Sequence, residues 1–114
     1  MSTRGAQAER LAAQFLQRQG LTLVQQNYRC RHGEIDLILR DGNTLVFAEV
    51  RLRSGNSFGG AAASINAAKQ GRLIHTAQHY LSTLSHIPPC RFDAVLLDTL
   101  DNTGVEWVRD AFTL

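Results

Sequence analysis

Ile35-Asp36-Leu37-Ile38-Leu39-Arg40-Asp41-Gly42-Asn43-Thr44-Leu45-Val46-Phe47-Ala48-Glu49-Val50-Arg51 decides how this chain folds. Asp41-Gly42-Asn43 is a turn signal between two apolar runs, the pattern of a β-hairpin. With the loop at Asp41 to Thr44, or tightened to Gly42-Asn43, Arg40 faces Leu45, Ile38 faces Phe47 and Asp36 faces Glu49. A three-residue loop without a bulge would shift the register by one and put the two carboxylates on opposite faces. In the first register Arg51 lies opposite Glu34, on the carboxylate face. The other face sets Ile35, Leu37 and Leu39 against Val50, Ala48 and Val46. It is uniformly apolar and belongs against a helix.

Outward from the hairpin, the patterns give the order α-β-β-β-α-β-β. Ala8, Leu11, Ala12, Phe15 and Leu16 have the spacing of an amphipathic helix. Ser2 or Thr3 caps it, and Gly20 stops it. Leu21 to Arg31 reads as a strand. From about Ala62 to Leu84 the pattern is helical again, with Leu73, Ala77, Tyr80, Leu81 and Leu84 as the apolar face. Pro88-Pro89 ends any helix before it. Arg91 to about Asp98 and Val105 to Phe112 read as strands, the last an edge. The fold class is α/β, a mixed central sheet flanked by helices.

The whole chain, 114 residues, has the length of a single domain. Hydrophobic residues are 44% and charged residues 19%, which argues against disorder. No apolar run approaches the roughly 18–20 residues of a membrane span. The opening MSTRGAQAER lacks the apolar core of a secretory signal, so a cytoplasmic protein with no membrane partner is expected. The net charge of +2 neither forces nor forbids a nucleic-acid partner. Cys30 and Cys90 are sixty positions apart, form no metal-binding spacing, and read as free thiols.

Asp36 and Glu49 are carboxylates inside apolar strands, a costly arrangement unless they are paired or bound to a cation. Directly opposite one another they repel. A divalent cation between them is one resolution, and neutralisation by Arg51, Arg53 or Arg40 is the other. Magnesium takes one or two carboxylates plus waters and substrate phosphate. Arg29 and Arg31 lead into the Asp36 strand, and Arg51 and Arg53 leave the Glu49 strand. Both groups stand near the carboxylate end of the hairpin, where a phosphate backbone would approach. Tyr28 is either a base-stacking ring or a core-facing one. The loop Ser54 to Gly60 either contacts DNA, closes over the site or simply connects. His75 and His79 have an i, i+4 spacing that binds zinc in some proteins, but no Glu follows His75, so they read as solvated. His32 and His86 fall in loops without evident partners.

Gly33-Glu34-Ile35-Asp36-Leu37-Ile38, followed by Leu45-Val46-Phe47-Ala48-Glu49-Val50-Arg51, resembles the bacterial UPF0102 (YraN-like) family. Glu9-Arg10-Leu11-Ala12, Asn27-Tyr28-Arg29, Phe58-Gly59, Lys69 and Arg91-Phe92-Asp93 match it as well. That family looks like the archaeal Holliday-junction resolvases of the PD-(D/E)xK nuclease superfamily. The resemblance implies a restriction-endonuclease-like fold, an Mg²⁺ or Mn²⁺ cofactor, DNA as partner, and a plausible homodimer. It implies that Asp36, Glu49 and Glu9 hold the metal and that position 51 carries a catalytic Lys. Here that position is Arg51, which keeps its charge but cannot serve as a base. Lys69 either projects its ammonium into the same site or is a surface lysine. Two functions follow from different classes. One is a metal-dependent endonuclease acting on DNA, with Glu9, Asp36, Glu49, Arg51 and Lys69 as catalytic residues. The other is a non-catalytic nucleic-acid-binding module on a nuclease fold.

Overall fold

The structure, a computed structural model, describes residues 3–52, 65–98, 100 and 104–112. Helix α1 spans Arg4–Arg18, and strands β1 (Thr22–Cys30), β2 (Gly33–Asp41) and β3 (Thr44–Leu52) follow. Helix α2 (Ala67–Leu81) leads to β4 (Cys90–Leu97) and β5 (Val105–Phe112). The order is the expected α-β-β-β-α-β-β. No helix among the described residues is long and apolar enough to cross a membrane.

Local chemistry sets the limits of α1. The Thr3 hydroxyl accepts the Ala6 N–H at 3.0 Å and caps the first turn. At the other end Gly20 adopts φ 102°, a left-handed conformation that glycine takes at little cost. Gly20 N–H then bonds Gln17 C=O and Leu21 N–H bonds Leu16 C=O, at 3.0 and 3.1 Å. This pair of bonds satisfies the helix's last carbonyls and buries Leu21 beside Leu16.

The sheet runs β1-β2-β3-β4-β5, with β3 and β4 parallel and every other pair antiparallel. The hairpin turn is Gly42-Asn43, and its partners are Asp41–Thr44, Arg40–Leu45, Ile38–Phe47 and Leu37–Ala48. That is the register read from the sequence. One helix packs on each side. Alternate residues Leu37, Leu39, Val46, Ala48, Val95 and Leu97 meet α1. Ile38, Leu45, Phe47, Phe92 and Ala94 meet α2. Strands β3 and β4 are therefore apolar on both faces, as a strand covered from both sides must be.

Ile35 departs from the expected pattern. It packs with Leu73, Ala77 and Tyr80 in the α2 layer, not with Leu37 and Leu39. The change of face falls beyond Leu37–Ala48, where the β2–β3 ladder ends, and beside Asn27 of the neighbouring strand, which has φ 54°. Tyr28 pairs with Ile35, and both face α2. The strand β1 is also shorter than Leu21 to Arg31, and α2 shorter than Ala62 to Leu84.

A buried charge pins β5 to β4. Asp93 is fully buried and accepts from Arg91 Nε, Trp107 Nε1 and the Asp110 N–H at 2.9, 2.9 and 3.0 Å. Asp110 takes φ 54° where the β4–β5 register shifts. Arg91 also bonds Asp41 beside the hairpin turn, at 2.9 Å.

Candidate metal and catalytic site

Beyond Leu37–Ala48, the Asp36 carboxylate takes the Val50 N–H at 2.9 Å. A side-chain oxygen acts there as acceptor for a strand N–H, which fixes the carboxylate between β2 and β3. Glu9 arrives from α1, next to buried Ala8, and is half-buried at the rim of the helix's apolar stripe. Glu34 stands two residues before Asp36 on β2. One carboxylate oxygen from each of Glu9, Glu34 and Asp36 lies within 4.8 Å of the other two.

Glu49 is buried at the far end of β3. Its Oε1 lies 3.6 Å from Lys69 Nζ and 3.9 Å from Arg51 Nε. The position of Lys69 follows from the start of α2. The Asn66 side chain caps that helix by accepting the Lys69 N–H at 2.9 Å, which fixes Lys69 in the first turn. A cation in a first turn opposes the helix dipole. Glu49 compensates it, and the positive end of α2 adds to the field on the carboxylates.

The charges act strongly on one another. Burial, then the Asp36 and Glu34 charges, push Glu9 up to about 7. Burial raises Asp36 as well, opposed by the Val50 hydrogen bond and by Lys69. Burial and the Asp36 charge raise Glu49, against the pull of Lys69 and Arg51. Both carboxyls of this buried pair are thus held above their ordinary values.

The fold brings Glu9, Asp36, Glu49, Arg51 and Lys69 to one end of the hairpin. Lys69 is half-buried on Glu49 and not a free surface lysine. Arg51 meets Glu49, not Glu34 as the extended register implies. Glu34 pairs instead with Arg29, its cross-strand partner on β1. Arg29 keeps 75% of its side chain exposed, and Arg31 is exposed too. Arg53 and the Ser54–Gly60 loop lie outside the described residues.

The histidines are better connected than the sequence suggests. His79 Nδ1 meets the Tyr28 hydroxyl, and the His75 ring lies 5.4 Å from that of His32. Tyr28 is held edge-on against Tyr80 in the α2 layer. Cys30 and Cys90 are free thiols. Glu34 was not singled out by sequence reasoning as a site residue, although its spacing from Asp36 was the available signal. Asp93 was recognised only as part of a motif.

A model of the uncharacterised protein family UPF0102 matches residues 8–97. A UPF0102 protein of Nitrosomonas europaea is 60% identical over 96% of this chain and 92% of its own length. One from Methylobacillus flagellatus is 54% identical over 99% of both chains. One from Cupriavidus taiwanensis is 59% identical over 96% of this chain and 82% of its own.

Proposed function

The chain belongs to the uncharacterised protein family UPF0102, and on that premise we propose that it is an Mg²⁺- or Mn²⁺-dependent endonuclease acting on DNA phosphodiester bonds. Branched DNA is the candidate substrate. The observation that carries the reading is the trio Glu9, Glu34 and Asp36, with oxygens within 4.8 Å, beside a buried Glu49 that holds Lys69.

The donor set is all carboxylate oxygen, which suits hard cations and not the softer metals that take thiolate or imidazole. Glu9, Glu34 and Asp36 would hold the ion. When bound, it supplies Lewis acidity and neutralises charge on the phosphodiester. The protein's own groups do the rest. Glu49 is the proton acceptor for the attacking water, because its raised affinity for a proton suits general-base work near neutral pH. Water oxygen attacks phosphorus, its proton passes to a Glu49 oxygen, and the bond from phosphorus to the leaving oxygen breaks. That oxygen is reprotonated from solvent. Lys69 Nζ orients the water and offsets negative charge on the phosphoryl oxygens. Arg51 supports the same field as a fixed charge, while Arg29, Arg31 and Arg53 draw in the strand.

A second reading keeps the DNA and drops the chemistry. It is favoured by Arg51, which stands where a Lys is expected and whose buried Nε has no hydrogen-bond partner among the described residues. Cleavage of a labelled four-way junction and of the matching linear duplex, each with Mn²⁺ and with EDTA, separates the two. The endonuclease reading expects metal-dependent products with the junction cut faster. Binding of both DNAs with no product under either condition supports the second reading.

A further inference from the structure

A cavity of about 250 Å³ opens at the turn end of the hairpin, between the start of β3 and the C-terminal end of α2. Arg40 lines it and is four residues from Asp36, so at about 3.3 Å per residue the cavity lies roughly 13 Å from the acidic cluster. Leu45, Tyr80 and Leu84 give it an apolar floor, and Arg40, Ser85 and His86 a polar rim.

Tyr80 is only 9% exposed, and its ring is held edge-on by Tyr28 and Phe47, with centroids 5.1 and 6.1 Å away. It lines the cavity, and a tyrosine hydroxyl can both donate and accept. Arg40 is exposed and has no carboxylate partner among the described residues. Among the described residues no Asp or Glu lines the cavity. Ser85 Oγ lies 3.4 Å from His86 Nδ1, and both groups are able to donate and accept.

The geometry points to a binding pocket for one nucleotide unit, a base with its phosphate, separate from the acidic cluster. The Arg40 fork takes the phosphate, for which a planar guanidinium is well shaped. The flat base lies on Leu45 and Leu84, and its polar edge meets the Tyr80 hydroxyl and Ser85. At about 250 Å³ the cavity is below the roughly 300 Å³ from which pockets for drug-sized ligands start, so it encloses part of one nucleotide unit and no more. The unit comes either from a free nucleoside monophosphate or from a DNA strand that continues to the acidic cluster.

The test is a titration of the full chain, in EDTA so that metal plays no part, followed by NMR of the Tyr80 and His86 rings. The probes are deoxyadenosine monophosphate, a single-stranded oligonucleotide, deoxyadenosine and inorganic phosphate. Saturable shifts of both rings by the monophosphate or by the oligonucleotide are expected, with binding at least tenfold weaker in Arg40→Ala. A response to the monophosphate marks a free ligand, and a response to the oligonucleotide alone marks a strand contact. Tyr80→Phe should bind about threefold or more weakly at an unchanged or higher melting temperature, which a purely packing role would not give. No shift with either nucleotide probe overturns the proposal. So does unchanged binding in Arg40→Ala, or equal affinity for inorganic phosphate alone.

Discussion

Lys69 Nζ lies 3.6 Å from Glu49 Oε1, closer than the 3.9 Å of Arg51 Nε to the same oxygen. The two cations reach Glu49 from different elements, Lys69 from the first turn of α2 and Arg51 from two residues along β3. An ammonium on a flexible stem and a rigid guanidinium are not equivalent next to a reacting phosphate.

Lys69→Ala should therefore lower single-turnover cleavage by about 100-fold or more, the lower end of the effect of a positioned catalytic group. Arg51→Lys should change the same rate less than tenfold, because the ammonium is already supplied from α2. A large gain in Arg51→Lys would return the lysine role to β3. Quenched-flow or gel-based rates at saturating Mn²⁺ make the comparison.

Metal binding should register in stability. An ion that binds only the folded state stabilises it, so millimolar Mn²⁺ or Mg²⁺ should raise the melting temperature of the wild type. Asp36→Asn should remove that rise. The same variant should melt no lower than wild type in EDTA, since one charge of a repelling pair is gone. Differential scanning calorimetry with and without metal reads both effects.

The metal-free protein should lose stability as pH rises. Glu9 stands at about 7 in the folded state, above its ordinary 4.5, and Asp36 and Glu49 are shifted the same way. Between those values the folded protein holds protons that the unfolded chain has released. The resulting stabilisation is complete below the ordinary value and is lost as pH rises through about 7. Melting temperatures in EDTA should fall from pH ~5.5 to pH ~8, and Glu9→Gln should flatten the curve. Metal affinity should run the other way, because protons and the cation compete for the same oxygens.

Asp93→Ala should destabilise the fold by about 3–5 kcal/mol, because three donors lose a buried acceptor at about 1–3 kcal/mol each while Arg91 keeps only Asp41 among the described residues. Arg91, Trp107 and the Asp110 N–H all lose their acceptor. Urea unfolding measures it. A loss below ~1 kcal/mol, the level of an exposed ion pair, would show that the network is spectator to folding.

The hairpin was legible because turn chemistry and two-residue alternation agree on one register around Gly42-Asn43. The layering of Leu37, Leu39, Val46 and Ala48 follows from the same alternation. Ile35 was misplaced because strict alternation was carried past Leu37–Ala48, where the β2–β3 ladder ends. Asp36 and Glu49 were visible as carboxylates in apolar runs. The meeting of Lys69 with Glu49 depends on where a helix capped by Asn66 begins, and that position is set in three dimensions. Glu34 was quoted in the motif without a role, and only its distance to Glu9 across the layers gives it one.

The most direct test is nicking of supercoiled plasmid by purified wild type, Asp36→Asn and Lys69→Ala, each with Mn²⁺ and with EDTA. Wild type should nick only with Mn²⁺, Asp36→Asn should not nick, and Lys69→Ala should nick about 100-fold or more slowly. Nicking by wild type that persists in EDTA, or that survives Asp36→Asn unchanged, would contradict the proposed metal-dependent cleavage.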